Sequence, residues 1–340
     1  DILSPTEVLD GIASLLEKSL IHRDTGVYGK ARYAMLETVR EYGLERLARG
    51  GEEKAVRSRY MNSLLRLIEN AEWTDPNPRR LQQCHLIDDD LHNVRATLAW
   101  AMEHDVQAAL LLAIALLHWF SLRGPYSEGR RLVEEVFALP GSSAHTIPRA
   151  RLLCEASVML WGTDADIAAR VYAGESLALS RELGYAKGEA DALLRLGRIT
   201  DDLADRNLAD KDLAWEYLEH PLEIYRTLQA SGSIAFVTVL LAQIAMNEPD
   251  LPRARALAEE SLSAAQRAGF SFQWPNFVLS YILYAEGNLD GARVLRKQML
   301  GALREQGEGK GLIAGNLLEL GTIAIRQQDL VAAHVYLDES

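Results

Sequence analysis

From about residue 52 onward, apolar residues recur at helical spacing, and turn signals separate segments of 12 to 20 residues. Period-two alternation is nearly absent there, so the pattern predicts helix after helix. The exception lies upstream: "SLIHRD", "TGVYG" and "KARYAML" read as a short β-hairpin with glycines in the turn. In front of it, "SPTEVLDGIASLLEKSL" offers Ser4 as helix N-cap, Pro5 at the first helical position and Glu7 three residues after the cap, a capping box. Behind it, "LETVREYGLERLA" is amphipathic and ends at Gly50 and Gly51.

Helix, hairpin, helix is the back half of a winged-helix unit, which sets a first division at residues 1–51. Residues 52–145 follow as a linking helical region with degenerate helical hairpins. Residues 146–340 repeat themselves. "ESLALSRELGY" at 175–185 returns as "ESLSAAQRAGF" at 260–270, with weaker copies at "HPLEIYRTLQASG" and "QMLGALREQG". From Leu177 the leucine steps to Leu222, Leu262 and Leu300, intervals of 45, 40 and 38 residues. Leu251, Leu289 and Leu330 open the second helix of successive units. Two helices every 40 residues or so predict an α-solenoid, because one hairpin cannot bury its apolar face alone.

The small residues say how closely the helices pair. Ala169, Ala214, Ala254, Ala292 and Ala333 share one position of the second helix, and Gly197, Ala242, Ser280 and Gly321 one of the first. Small side chains at fixed positions let helices approach closely, so the units resemble tetratricopeptide repeats, slightly lengthened. In the second unit about five extra residues around "DLADRNLADKDL" lengthen the connection. The expected fold is all-α: a right-handed α-solenoid of tetratricopeptide-like hairpins, truncated at its C-terminus, behind a partial winged-helix unit.

Composition narrows the function. The chain has 340 residues, 48% hydrophobic and 25% charged, enough to bury a large core. No apolar run reaches the ~18 residues of a membrane span. The longest, "AALLLAIALLHWF" from Ala108, reads as a buried helix, so no membrane partner is expected. The net charge of −12 disfavours a polyanion. Residues 1–50 hold seven Lys or Arg against eight Asp or Glu, without the basic stripe of groove readers, so no direct nucleic-acid contact is expected. Two cysteines, Cys84 and Cys154, neither of them in a paired motif, suit a reducing cytoplasm. The chain opens at Asp1 without a methionine and stops at "VYLDES" without a capping residue, which is read as a piece of a longer protein.

"YAMLETVREYGLERL" at 33–47, "LHNVRATLAWAME" at 91–103 and "FSLRGPYSEGRRLVEEVFALP" at 120–140 together resemble the bacterial STAND ATPases, large signal-transducing regulators that include MalT-like activators. In that family a P-loop nucleotide-binding domain comes first, then a winged helix that helps hold the nucleotide, then a helical and tetratricopeptide sensor arm. The resemblance implies that this chain keeps the second and third parts. It further implies that ATP or ADP and Mg belong to the parent protein rather than to this fragment, which contacts the missing nucleotide-binding domain intramolecularly. The nearest approach to a Walker A loop, "EGKGL" at 308–312, has Gly311 where Ser or Thr is needed and Arg304 where the first glycine belongs, and reads as an exposed inter-repeat loop.

Other chemistry is thin. His85, Asp88, Asp89 and His92 fall at spacings that one helix face could bring to a metal, against which stands an acidic, exposed linking helix; no metal is expected. His118 reads as a core histidine. Cys154 has no base beside it in sequence, and no Ser, His and Asp set has a recognised spacing, so no catalytic residue is expected.

One binding candidate is left. Trp274, Phe277, Tyr281 and Tyr284 fall within an arc of about 80° on one helix face. In tetratricopeptide register they occupy the first-helix positions that face the concave groove. The same positions give Phe236, Val239, Gln243 and Met246 one unit earlier, and Leu318, Thr322 and Ile325 one unit later. Towards the N-terminus they give Asp191, Leu194, Arg198 and Asp201, then Arg151, Cys154, Val158 and Trp161. The expected groove is aromatic in its C-terminal half and charged in its N-terminal half, with Tyr hydroxyls as polar handles. Packing by neighbouring repeats is the competing reading of the stripe. Three functions follow: a sensor arm binding a peptide, protein or small inducer; an adaptor for one constant protein partner; or an enzyme, for which no residue set can be named.

Overall fold

The computed structural model describes all residues except 1–3, 27, 28, 30, 70–78, 162–165, 206–210, 248–249, 270–272 and 306–309. The chain divides into two compact units, the first running to Ala144 and the second starting at His145.

The first unit opens as predicted. Helix α1 (Pro5–Glu17) is closed by the Ser4 and Glu7 capping box. Strands β1 (Ile21–Thr25) and β2 (Ala31–Met35) pair antiparallel with Ile21 opposite Met35 and Thr25 opposite Ala31. Helix α2 (Glu37–Gly50) ends at Gly51, whose left-handed φ of 69° only glycine adopts without strain. Helices α3 (Glu53–Glu69), α4 (Arg79–Asp88), α5 (Leu91–His104) and α7 (Tyr126–Phe137) pack against α6 (Val106–Arg123), directly or through α5.

Two expectations are corrected in this unit. The apolar run extends to an 18-residue helix, α6, long and apolar enough to cross a membrane, yet 61% of it is buried inside the protein as its central core helix. His85, Asp88, Asp89 and His92 do not share one helix face, because the helix breaks at Asp89 and Asp90 between α4 and α5. The aspartates at this corner are tied to arginines. Asp88 accepts from Trp119 Nε1 at 2.7 Å and Arg123 at 2.8 Å. Asp89 and Asp90 both pair with Arg32 of β2. At Gly26, beside the hairpin turn, a Cβ would lie 2.7 Å from the Asp89 carboxylate, so glycine is what admits this contact.

The second unit contains five helical hairpins among the described residues: α8 (Ile147–Leu160) with α9 (Asp166–Glu182), α10 (Ala186–Asp205) with α11 (Lys211–Thr227), α12 (Ser231–Asn247) with α13 (Leu251–Arg267), α14 (Trp274–Ala285) with α15 (Leu289–Glu305), and α16 (Lys310–Arg326) with α17 (Leu330–Glu339). They form the expected all-α solenoid. The landmark leucines 251, 289 and 330 each open a second helix. Asp250, Asn288 and Asp329, directly before them, accept hydrogen bonds from the backbone N–H of Arg253, Gly291 and Ala332, at 3.1, 3.0 and 3.1 Å.

The small-residue register is the seam of the stack. Ala169, Ala214, Ala254 and Ala292 are fully buried and Ala333 nearly so. A Cβ on Gly197 would sit 2.7 Å from the Leu218 side chain, and one on Gly321 2.8 Å from Leu337. The recurring serine of "ESL" also has a structural use: Ser176 donates to the Ala150 carbonyl at 2.8 Å and Ser261 to the Ala235 carbonyl at 2.5 Å, joining each second helix to a first helix. Two details differ from expectation. The lengthening of the second unit includes extra helix, since α10 runs 20 residues to Asp205, while residues 206–210 of that connection lie outside the described ones. Of "EGKGL", residues 308 and 309 lie outside them too, and Lys310 to Leu312 form the first turn of α16 rather than a loop.

Candidate functional site

The first helices α8, α10, α12, α14 and α16 carry the candidate residues. Four of these residues meet in a continuous ladder. The Arg198 guanidinium of α10 lies 4.2 Å from the centre of the Trp161 ring, which caps α8, and 5.1 Å from that of Phe236 on α12. Phe236 in turn meets Trp274 of α14 edge to face, centroids 5.7 Å apart at 68°. Cation over ring and edge against face are both favourable for the quadrupole of an aromatic ring, so the order Trp, Arg, Phe, Trp is self-consistent.

The other aromatics take arginines from elsewhere. Arg296 of α15 sits 4.4 Å over Phe277, and Arg326 at the end of α16 lies 4.6 Å over Tyr284. Arg296 is 3% exposed. Burial lowers its guanidinium pKa from the usual value, opposed by Glu319 at 3.9 Å, and its backbone carbonyl accepts from Asn316 at 2.8 Å. Tyr281, between the two, stands free of the core and is 43% exposed. Gln243 and Asp201 are half-buried. Burial raises the Asp201 carboxyl pKa, helped by the charges of Asp205 and Asp202 and opposed by Lys211.

Much of the expected groove wall is therefore interior. Phe236 is 5% exposed, and Cys154, Leu194 and Val239 at the equivalent positions are also buried. Trp274 and Phe277 pack against the cluster of Val239, Ala242, Val278 and Ile282. The reason is that α8 rests on α10, α10 on α12 and α12 on α14, so the inward faces of these helices are partly consumed by their neighbours. The exposed positions left are at the C-terminal end, Tyr281 and, on α16, Leu318, Thr322 and Ile325, while Tyr284 is half-buried.

In the N-terminal half the charges face one another. Asp191 accepts from Tyr225 Oη at 2.7 Å and from Lys187 Nζ at 2.6 Å, and Arg195 faces Glu155 at 3.9 Å. Tyr225 of α11 is fully buried, and burial, with Asp191 beside it, pushes its hydroxyl well above the usual tyrosine range. Burial also pushes the Cys154 thiol up to about 12, against the pull of Arg195, which makes it inert as a nucleophile. Sequence reasoning missed Arg296, Arg326 and Tyr225. The visible signal for the first was an arginine in the buried register of "GARVLRKQML", where Ala258 stands one repeat earlier. Among the described residues, no group of three or more His, Cys, Asp or Glu is placed to hold a metal ion.

No family model matches the chain. A curated protein of Mycobacterium bovis, named "Putative HTH-type transcriptional regulator", is 30% identical over 205 residues, which is 57% of this chain and 23% of that protein. Its Mycobacterium tuberculosis counterparts match equally. The chain thus matches about a quarter of the length of these relatives. Among solved structures, the Pyrococcus horikoshii STAND protein with a tetratricopeptide repeat sensor aligns over 96% of this chain and 51% of its own, with TM-score 0.59 and 14% identity. The quorum sensor NprR from B. thuringiensis aligns over 77% of this chain and 73% of its own, with TM-score 0.54 and 14% identity. RapI aligns over 74% and 89%, with TM-score 0.55 and 14% identity. At such identities these likenesses speak for the fold.

Proposed function

We propose that the repeats, residues 146–340, are the sensor arm of a longer STAND-type signalling or transcriptional regulator, and that a peptide, protein or small inducer docks on the first-helix face. The observation that carries this reading is the accessible surface at its C-terminal end, where exposed Tyr281 lies between Phe277 and Tyr284, each under an arginine, and where α16, whose Arg326 reaches Tyr284, exposes Leu318 and Ile325. Aromatic rings, phenolic hydroxyls and a guanidinium in one strip supply what an extended peptide needs. NprR, of similar fold, has been crystallised with its cognate peptide NprX, which supports the ligand class (TM-score 0.51, 15% identity).

On this reading residues 1–51 are the C-terminal part of a winged helix and 52–145 the link to the arm. None of the described residues from Ser4 to Tyr60 is buried, which fits a segment that rests on another domain. That domain would be the nucleotide-binding one, holding ATP or ADP with Mg, and the chain itself performs no catalysis. Ligand binding biases the parent between two states through its differential affinity for them. The protein works in the cytoplasm.

A second reading, a scaffold for one constant partner, is favoured by the ladder from Trp161 to Trp274, whose packed rings leave that half of the face rigid. Short synthetic peptides screened by tryptophan fluorescence separate the two. Binders whose signal disappears in Tyr281→Ala, with an unchanged melting temperature, support the sensor. Binders that keep full affinity in that variant overturn the proposed face, and capture of a single protein partner with no response to any peptide selects the scaffold.

A further inference from the structure

The second helices carry a departure from the repeat that the first-helix face does not explain and that packing, which engages Trp215, explains only in part. Directly after the invariant small residue of each one come Arg170, Trp215, Arg255, Arg293 and His334. Arg255 and Arg293 tie their hairpin to an acceptor beyond it, Arg255 to Glu286 at 2.5 Å and Arg293 to Asp329 at 2.9 Å. In the second hairpin a tryptophan stands in that basic position. Directly before the small residue come Ala168, Leu213, Arg253, Gly291 and Ala332, so in the third hairpin an arginine stands where its counterparts are uncharged. The two exceptions meet: the Arg253 guanidinium lies 3.9 Å from the centre of the Trp215 ring.

The pair lines a cavity of about 270 Å³ between α11 and α13, together with Glu219, Glu223, Arg226 and Glu260. Arg226 is well anchored, at 2.7 Å from Glu223 and 2.8 Å from Glu260. Arg253 is not. Its ion pair among the described residues, to Glu219, measures 3.9 Å, beyond hydrogen-bond distance, with both side chains about half exposed or more.

We propose that this cavity is a docking pocket for an arginine side chain of a partner protein, and that Arg253 is its internal occupant, displaced on binding. The indole face and the acidic rim are what a planar, weakly hydrated guanidinium recognises, while a lysine ammonium cannot stack in the same way. Charge points to the same partner. Three carboxylates face two guanidiniums with Arg253 in place, and a single guanidinium once it swings out, within a chain of net charge −12 that repels anionic segments. Apart from Leu241 of α12 the pocket is lined by the second helices, and it shares no residue with the proposed first-helix face, so it stands or falls independently of it.

A fluorescent hexa-arginine peptide, titrated into the full chain and followed by anisotropy, tests this. Arg253→Ala empties the ring face and should tighten binding about tenfold over wild type. Arg267→Ala, which removes the same charge from the exposed end of α13, should change affinity by much less. Trp215→Leu, neutral in charge, should weaken binding, and hexa-lysine should bind more weakly than hexa-arginine. Trp215 also packs against the core, so if that variant unfolds the two arginine variants decide. Equal affinity of Arg253→Ala and Arg267→Ala, or undiminished binding to a folded Trp215→Leu, would overturn the pocket and leave only general charge attraction.

Discussion

The first 60 residues and the repeats obey the same local rules and differ in what stands behind them. Both have capped helices: Ser4 closes α1 as Asp250 and Asp329 close α13 and α17. Yet the described residues from Ser4 to Tyr60 bury no side chain, and Leu9, Leu36 and Tyr42 are 66%, 57% and 62% exposed. In the repeats Leu218, Leu241 and Tyr225 are almost wholly buried. Local signals suffice to choose helix or hairpin, whereas stability comes from the apolar area that another element covers. The repeats supply that cover to one another. The N-terminal helix, hairpin and helix leave theirs open.

The sharpest break in that contrast is at Leu218, 1% exposed against the seam glycine Gly197. Leu218→Ala removes atoms that a close-packed neighbourhood cannot replace, and should cost about 3–5 kcal/mol in urea unfolding of the second unit. A loss below about 1 kcal/mol would mean that the seam is looser than its distances say.

This seam was legible beforehand because spacing alone betrays it. The alanines from 169 to 333, with Gly197 and Gly321, recur at fixed register, and the landmark leucines begin the helices they were expected to begin. The candidate site was less legible. Periodicity names the face of a helix on which Trp274, Phe277, Tyr281 and Tyr284 lie, but not how far the next helix covers it. Periodicity therefore assigns Phe236 and Trp274 to the groove wall, although one is buried and the other partly packed against the core. Arg296 and Arg326 reach Phe277 and Tyr284 from helices α15 and α16, and no spacing within α14 announces them. The break between α4 and α5 escaped for a similar reason. Three consecutive aspartates do not end a helix by propensity alone, and here their charges are shared between Arg123 and Arg32, which lie elsewhere in the chain.

Titration offers a second, smaller separation of the two regions. The Cys154 thiol, buried in the repeats, has its pKa raised from 9.0 to about 12. An acid whose folded pKa is raised keeps its proton in the folded state after the unfolded chain has lost its own, so stability falls as pH climbs past the unfolded value. Between pH 8 and 10 this single group should remove about 1.4 kcal/mol, to which the buried Tyr225, raised well above the ordinary value near 10, adds a smaller loss towards the upper end of the range. Urea midpoints of the second unit at the two pH values should converge in Cys154→Ala. A loss of the same size in that variant would place the alkaline sensitivity outside the cluster of Cys154, Arg195 and Asp191.

The smallest expected effect is the most informative about the N-terminal region. Leu9→Ala truncates a side chain that is already 66% exposed, so within this chain it should change stability by no more than about 0.5 kcal/mol. Amide hydrogens of α1 and α2 should exchange faster than those of α12, whose interior side chains are nearly all buried. If residues 1–51 rest on a nucleotide-binding domain, as proposed, then in a longer chain carrying that domain the same substitution removes a covered leucine. Its cost should rise to about 2 kcal/mol, and exchange in α1 should slow. An equally small cost in both chains would show that Leu9 faces water in each, and the exposed strip on α1 would then have no part in holding a second domain.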